Sequence, residues 1–110
     1  MQIPIELTFR NTSPSLALEA TVREWVSRLV QVLPLQRCHV VVEMPHAHHQ
    51  HGSEFQVHIT LSIPGHTVSI TRGARPEYRD PYRALADAFR AARRGLLDFV
   101  AQRRDARPAL

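Results

Sequence analysis

The chain has 110 residues, of which 44% are hydrophobic, with a net charge of +4; this suits one domain with one core and is too apolar for disorder. No apolar run approaches the ~20 residues that span a bilayer, and the N-terminus carries no basic-then-apolar leader pattern. Cys38 is the only cysteine, which excludes an intrachain disulfide and points to a soluble, cytoplasmic protein in a reducing compartment.

Gln2–Arg10 alternates, with Ile3, Ile5, Leu7 and Phe9 on one face, and predicts a strand. Pro4 points to the other face and removes a ladder donor, so the strand belongs at an edge or begins there. Asn11-Thr12-Ser13-Pro14 predicts a helix start, with Ser13 as cap and Pro14 in the first helical position. Leu18, Val22, Trp25, Val26, Leu29 and Leu33 then recur on one stripe until Pro34 ends the helix, and this spacing makes Trp25 a core residue.

Arg37–Met44 predicts a second strand around Val40-Val41-Val42, with Cys38 as a small buried residue. Glu54–Ile63 alternates most cleanly and turns Phe55, Val57, Ile59, Leu61 and Ile63 inward. Pro64-Gly65 predicts a tight turn into a fourth strand, Thr67–Thr71. Gly73–Arg79 is expected to be a loop, and Asp80-Pro81 repeats the cap-then-proline signal. The last helix should bury Tyr82, Leu85, Phe89, Ala92, Leu96 and Phe99, with Gly95 interrupting at modest cost. The order β-α-β-β-β-α, with two-faced strands, predicts an α+β two-layer sandwich: a four-stranded sheet carrying both helices on one face. The domain is expected to span residues 1–104, followed by a frayed tail, 105–110.

Charge is unevenly placed. Residues 1–71 hold four Arg and five Glu, whereas residues 72–110 hold ten Arg against five acids, and lysine is absent. A localised positive field suits a polyanion. At about 100° per residue, Arg83, Arg90 and Arg94 line up opposite the apolar stripe, with Arg79 if the helix reaches back that far. Arg93 and Arg104 fall between that line and the core, and Asp87 and Asp98 on the other flank. Asp87 is still near enough in sequence to pair locally with Arg83 or Arg90. Guanidinium groups hold phosphates bidentately and stack on exposed bases, so Arg79, Arg83, Arg90, Arg93 and Arg94 are the candidate RNA-binding residues.

His46, His48, His49 and His51 form a cluster between the second and third strands that could gather imidazoles around Zn²⁺, Ni²⁺ or Cu²⁺. No cysteine or carboxylate lies within it, so the polar tip of a hairpin is the simpler reading and no cofactor is expected. The alternative function is a metal-binding or metal-responsive module. His39 and His58 fall on the polar sheet face and His66 follows the turn, none with an evident catalytic partner. Nucleophile elbow, phosphate-binding glycine loop and paired carboxylates are all missing, so neither enzyme activity nor a small-molecule substrate is expected.

The chain resembles the bacterial ribosome hibernation-promoting factors and ribosome-associated inhibitors, also known as sigma-54 modulation proteins. The likeness rests on the Met1-Gln2-Ile3 strand with Arg10-Asn11, on Arg23-Glu24-Trp25-Val26, and on His39-Val40-Val41-Val42-Glu43. It continues through Val57-His58-Ile59-Thr60-Leu61, Pro64-Gly65 and Asp80-Pro81-Tyr82-Arg83-Ala84-Leu85. The resemblance implies a fold shaped like double-stranded RNA-binding domains. It also implies binding to 16S rRNA of the small ribosomal subunit, in the channel used by mRNA and tRNA, with translation blocked by occlusion. The short type, without a dimer-promoting extension and monomeric, is what the length matches. Arg94 matches a basic position of the family. Leu97, Asp98 and Val100 stand where the family is usually basic, and Arg83, Arg90 and Arg93 where it is often neutral or acidic.

Overall fold

The computed structural model describes residues 3–45 and 54–105. In chain order these form β1 (Ile5–Arg10), α1 (Leu16–Leu29), β2 (Arg37–Glu43), β3 (Gln56–Ile63), β4 (His66–Arg72), a 3-10 helix (Pro76–Arg79) and α2 (Pro81–Asp105). One sheet runs in the order β1-β2-β3-β4. The crossover through α1 leaves β1 and β2 parallel, while β2–β3 and β3–β4 are antiparallel. The expected α+β sandwich is the fold observed.

Alternation decides which side is covered. Register sets Cys38, Val40 and Val42 of β2 opposite Leu61, Ile59 and Val57 of β3, and all six are fully buried. They share one core with Leu18, Val22, Val26 and Leu29 of α1 and with Leu85, Phe89 and Leu96 of α2. Both helices therefore lie on one face, and a one-residue slip of any strand would turn its apolar set to solvent. The open face is polar, laced by cross-strand hydroxyl pairs: Thr60 with Ser69 and Ser62 with Thr67, each at 3.3 Å. Val41 is its buried apolar exception, set between Thr8 and His58.

β1 is an edge strand, as Pro4 suggested; the proline lies just before it, and its carbonyl accepts from the Cys38 N–H at 3.1 Å. Gly65 has φ +78°, the left-handed value that the second central position of a Pro-Gly turn demands. At Gly95 a Cβ would stand 3.3 Å from Val68 Cγ1, so the missing side chain lets α2 settle closely on β4.

Several local expectations are corrected. Ser15, not Ser13, caps α1: its Oγ accepts from the Leu18 N–H at 3.1 Å, and the helix begins after Pro14. The helix ends at Leu29 rather than at Pro34, and tight turns carry the chain on to a buried Leu33. The segment after β4 is no simple loop, because its 3-10 helix buries Tyr78 to 1% exposure. Tyr82 is 44% exposed instead of buried; Tyr78 is the aromatic that joins the core just ahead of α2. Trp25 is half-buried, stacked on Phe89 with ring centroids 5.4 Å apart. β1 begins three residues later than expected, at Ile5, and the other strand limits shift by one or two, as ends commonly do.

Burial pushes the Cys38 thiol up from 9.0 to about 12. The Tyr78 phenol also lies above its ordinary 10.0, first through burial and then through its hydrogen bond to the Asp87 carboxylate. Both groups keep their protons in the folded chain at a pH where the unfolded chain releases them. Stability should therefore fall as pH rises above 9.0, where the unfolded thiol begins to ionise. Each such proton contributes on the order of 1.4 kcal/mol per pH unit. Urea unfolding between pH 7 and 10 should show this loss, and C38A should flatten its onset; an equally steep decline in C38A would contradict the assignment to Cys38.

Candidate nucleic-acid interface

α2 begins where Asp80 Oδ1 accepts from the Tyr82 N–H at 2.9 Å and Pro81 takes the first helical position. Its 25 residues extend roughly 37 Å at 1.5 Å per residue. Ala84, Leu85, Ala88, Phe89, Ala92 and Leu96 are buried on one side. Arg83, Arg90, Arg93 and Arg94 are exposed on the remainder, and Arg79 is exposed on the preceding 3-10 helix rather than on α2.

Asp87 does not lie on the opposite flank. It sits inside the arginine line, accepting from Arg83 Nε and Arg90 Nη1, each at 3.4 Å. The reason is helical spacing: Asp87 is four residues after Arg83 and three before Arg90. The Tyr78 hydroxyl donates to the same carboxylate at 3.0 Å, so Asp87 ties the 3-10 helix to α2. Among the described residues, Arg72, Arg75, Arg79, Arg93 and Arg94 have no carboxylate within ion-pairing distance. On α1, by contrast, Arg23 pairs with Glu19 at 3.0 Å and Arg28 with Glu24 at 3.6 Å, which leaves that surface balanced. The Arg28 guanidinium also lies 4.7 Å from the Trp25 ring centroid, and that of Arg90 lies 5.8 Å from it. These contacts bring Arg90 to the seam between the helices.

A groove of about 490 Å³ opens beside this ridge, with Arg72 and Arg75 on one wall, Arg90 and Arg94 on the other, and Tyr78 and Asp87 between them. Arg72 is held by donating from Nη1 to the Thr71 carbonyl at 2.9 Å. Ala74 adopts φ 59° in the turn between the two arginines; left-handed backbone at a non-glycine residue costs on the order of 1–2 kcal/mol. Arg72 and Arg75 were not among the sequence candidates, although the change of charge along the chain begins at Arg72 itself.

Among the described residues, no histidine lines this groove. His58 does have partners: Thr71 Oγ1 lies 2.8 Å from its Nδ1 and Glu43 Oε1 lies 3.7 Å from its Nε2. This chain of contacts crosses the open face of the sheet and braces three neighbouring strands. His66 stacks on Phe99 with centroids 3.8 Å apart, near an apolar cleft whose rim carries Arg103 and Arg104. His46, His48, His49 and His51 lie outside the described residues, as does the tail beyond Asp105. No helix among the described residues is long and apolar enough to cross a membrane.

A family model described as Sigma 54 modulation protein / S30EA ribosomal protein matches residues 5–104. Among solved structures, the chain is similar to a ribosomal subunit interface protein from Coxiella burnetii, at 15% identity and TM-score 0.66. It is also similar to the N-terminal domain of Protein Y from Thermus thermophilus, at 20% identity and TM-score 0.69. Each alignment covers 90% of this chain and 99% of the other. Curated protein sequences give no match.

Proposed function

The chain belongs to the Sigma 54 modulation protein / S30EA ribosomal protein family, and from that premise we propose that it is a ribosome-associated inhibitor of translation that acts without chemistry. In this reading it settles on 16S rRNA of the small subunit, in the channel that mRNA and tRNA use, and contacts phosphates through Arg79, Arg83, Arg90, Arg93 and Arg94. The similar solved structures, one of a ribosomal subunit interface protein, support the reading through their shared fold.

The observation that carries it is the separation of charge on α2. One side of the helix is committed to the core, while the other presents exposed arginines over roughly three turns with only Asp87 among them. Such a line can follow a phosphate backbone, and phosphate contacts position a protein without reading sequence. Occlusion then needs only residence in the channel. In a reconstituted translation reaction, protein added before mRNA should block initiation, and small subunits already loaded with mRNA should resist it. Equal binding to loaded and empty subunits would rule out the channel as its seat.

A further inference from the structure

We infer that the groove between β4 and α2 is an RNA-phosphate pocket, in which Arg72 and Arg75 grip the backbone from the side opposite Arg90 and Arg94. The inference rests on the proposed RNA-binding role of α2 and extends it to two residues outside that helix.

Composition of the groove argues for an anion. Four guanidinium groups surround a single carboxylate, and that carboxylate is already engaged by Tyr78, Arg83 and Arg90. Guanidinium forks fit phosphate oxygens bidentately, so arginines on two walls can hold one phosphate from both sides. One arginine on each wall, and the segment between them, already has partners within the chain. Arg72 is fixed by its bond to the Thr71 carbonyl, Arg90 by Asp87, and the intervening segment by the Tyr78–Asp87 bond and by the Phe55 N–H donating to the Tyr78 carbonyl at 2.7 Å. Preorganised side chains lose less freedom on binding.

Shape and lining favour a polymer over a small metabolite. Sites that enclose small molecules are mostly apolar, whereas the side chains here are chiefly charged. A volume of about 490 Å³ equals roughly sixteen waters at ~30 Å³ each, which is room for a phosphate and part of its hydration shell. Arg94 belongs both to the groove and to the exposed ridge, so a strand leaving the pocket continues along α2. The buried Tyr78 ring offers no stacking surface, so the pocket grips backbone without selecting a base.

The test uses the whole chain, a fluorescent single-stranded oligoribonucleotide of mixed sequence, and anisotropy titrations from 50 to 300 mM salt. R72Q/R75Q should bind roughly 10- to 30-fold more weakly at 0.1 M salt and flatten the log–log salt slope by about 1.4, because each single-strand phosphate contact contributes about 0.7. R72K/R75K, which keeps the charge, should recover most of the slope. R75Q alone changes an exposed side chain and should lose about fivefold, a readout that survives if the double variant is less stable. Affinity and slope unchanged in R75Q and R72Q/R75Q, with R93E/R94E still losing binding, would overturn the pocket and leave the α2 reading standing. Absence of RNA binding by the wild-type chain would overturn both.

Discussion

Replacing Arg79, Arg93 and Arg94 with glutamate should reduce ribosome association by about 100- to 1000-fold at 0.1 M salt. The estimate follows from counterion release: each lost phosphate contact removes ~0.7–0.9 from the salt slope, and three such contacts amount to two to three decades between 1 M and 0.1 M salt. These three arginines are exposed and have no carboxylate partner among the described residues, so the substitutions leave the fold's own ion pairs in place. Arg83 and Arg90 should matter less, because Asp87 already offsets part of their charge. R83Q is therefore expected to cost only a few-fold. Sedimentation with small subunits, with thermal melts to check folding, measures both; equal losses in the two variants would remove Asp87 from the account.

The second large effect is on stability. Phe89 is fully buried in the middle of α2 and stacks in parallel on Trp25, where the two helices meet. F89A removes this contact and opens a cavity, and such substitutions cost about 3–5 kcal/mol. A domain of this size is commonly stable by only ~5–15 kcal/mol, so the variant should unfold at much lower urea. Trp25 is the only tryptophan, and its fluorescence follows the transition directly. A loss below about 1 kcal/mol would mean that the seam repacks around the gap.

The architecture was legible in the sequence because strand alternation and helical stripes are local signals that tertiary packing then uses. Val57 to Ile63 reads as one buried face in the sequence and is one in the structure. Pro64-Gly65 and Asp80-Pro81 likewise form the turn and the cap their chemistry favours. The cap of α1 was misplaced for a physical reason: Ser13 and Ser15 flank Pro14, either hydroxyl can accept from a free amide, and the folded chain uses the second. Tyr78 was not legible. A single 3-10 turn has no period to detect, and the groups that bond to Tyr78, the Phe55 N–H and the Asp87 carboxylate, lie outside that turn.

The candidate site was only half visible. A helical projection collects the arginines of α2, but it cannot show that Arg72 and Arg75 come to face Arg90 and Arg94, because that depends on how β4 and the following turn pack against the helix. The position of Asp87 within the arginine line was within reach of spacing alone, since residues three and four apart share a helix face. Its role as the joint acceptor for Tyr78, Arg83 and Arg90 needed the fold.

Co-sedimentation of the wild-type chain with small ribosomal subunits, at salt from 50 to 500 mM, tests the central claim most directly. The account predicts a pellet that is nearly complete at the lowest salt and declines steeply, with a log–log slope of about −3 or beyond for four or more phosphate contacts. No association at 50 mM salt, or association indifferent to salt, would contradict an arginine surface that holds the ribosome through its phosphates.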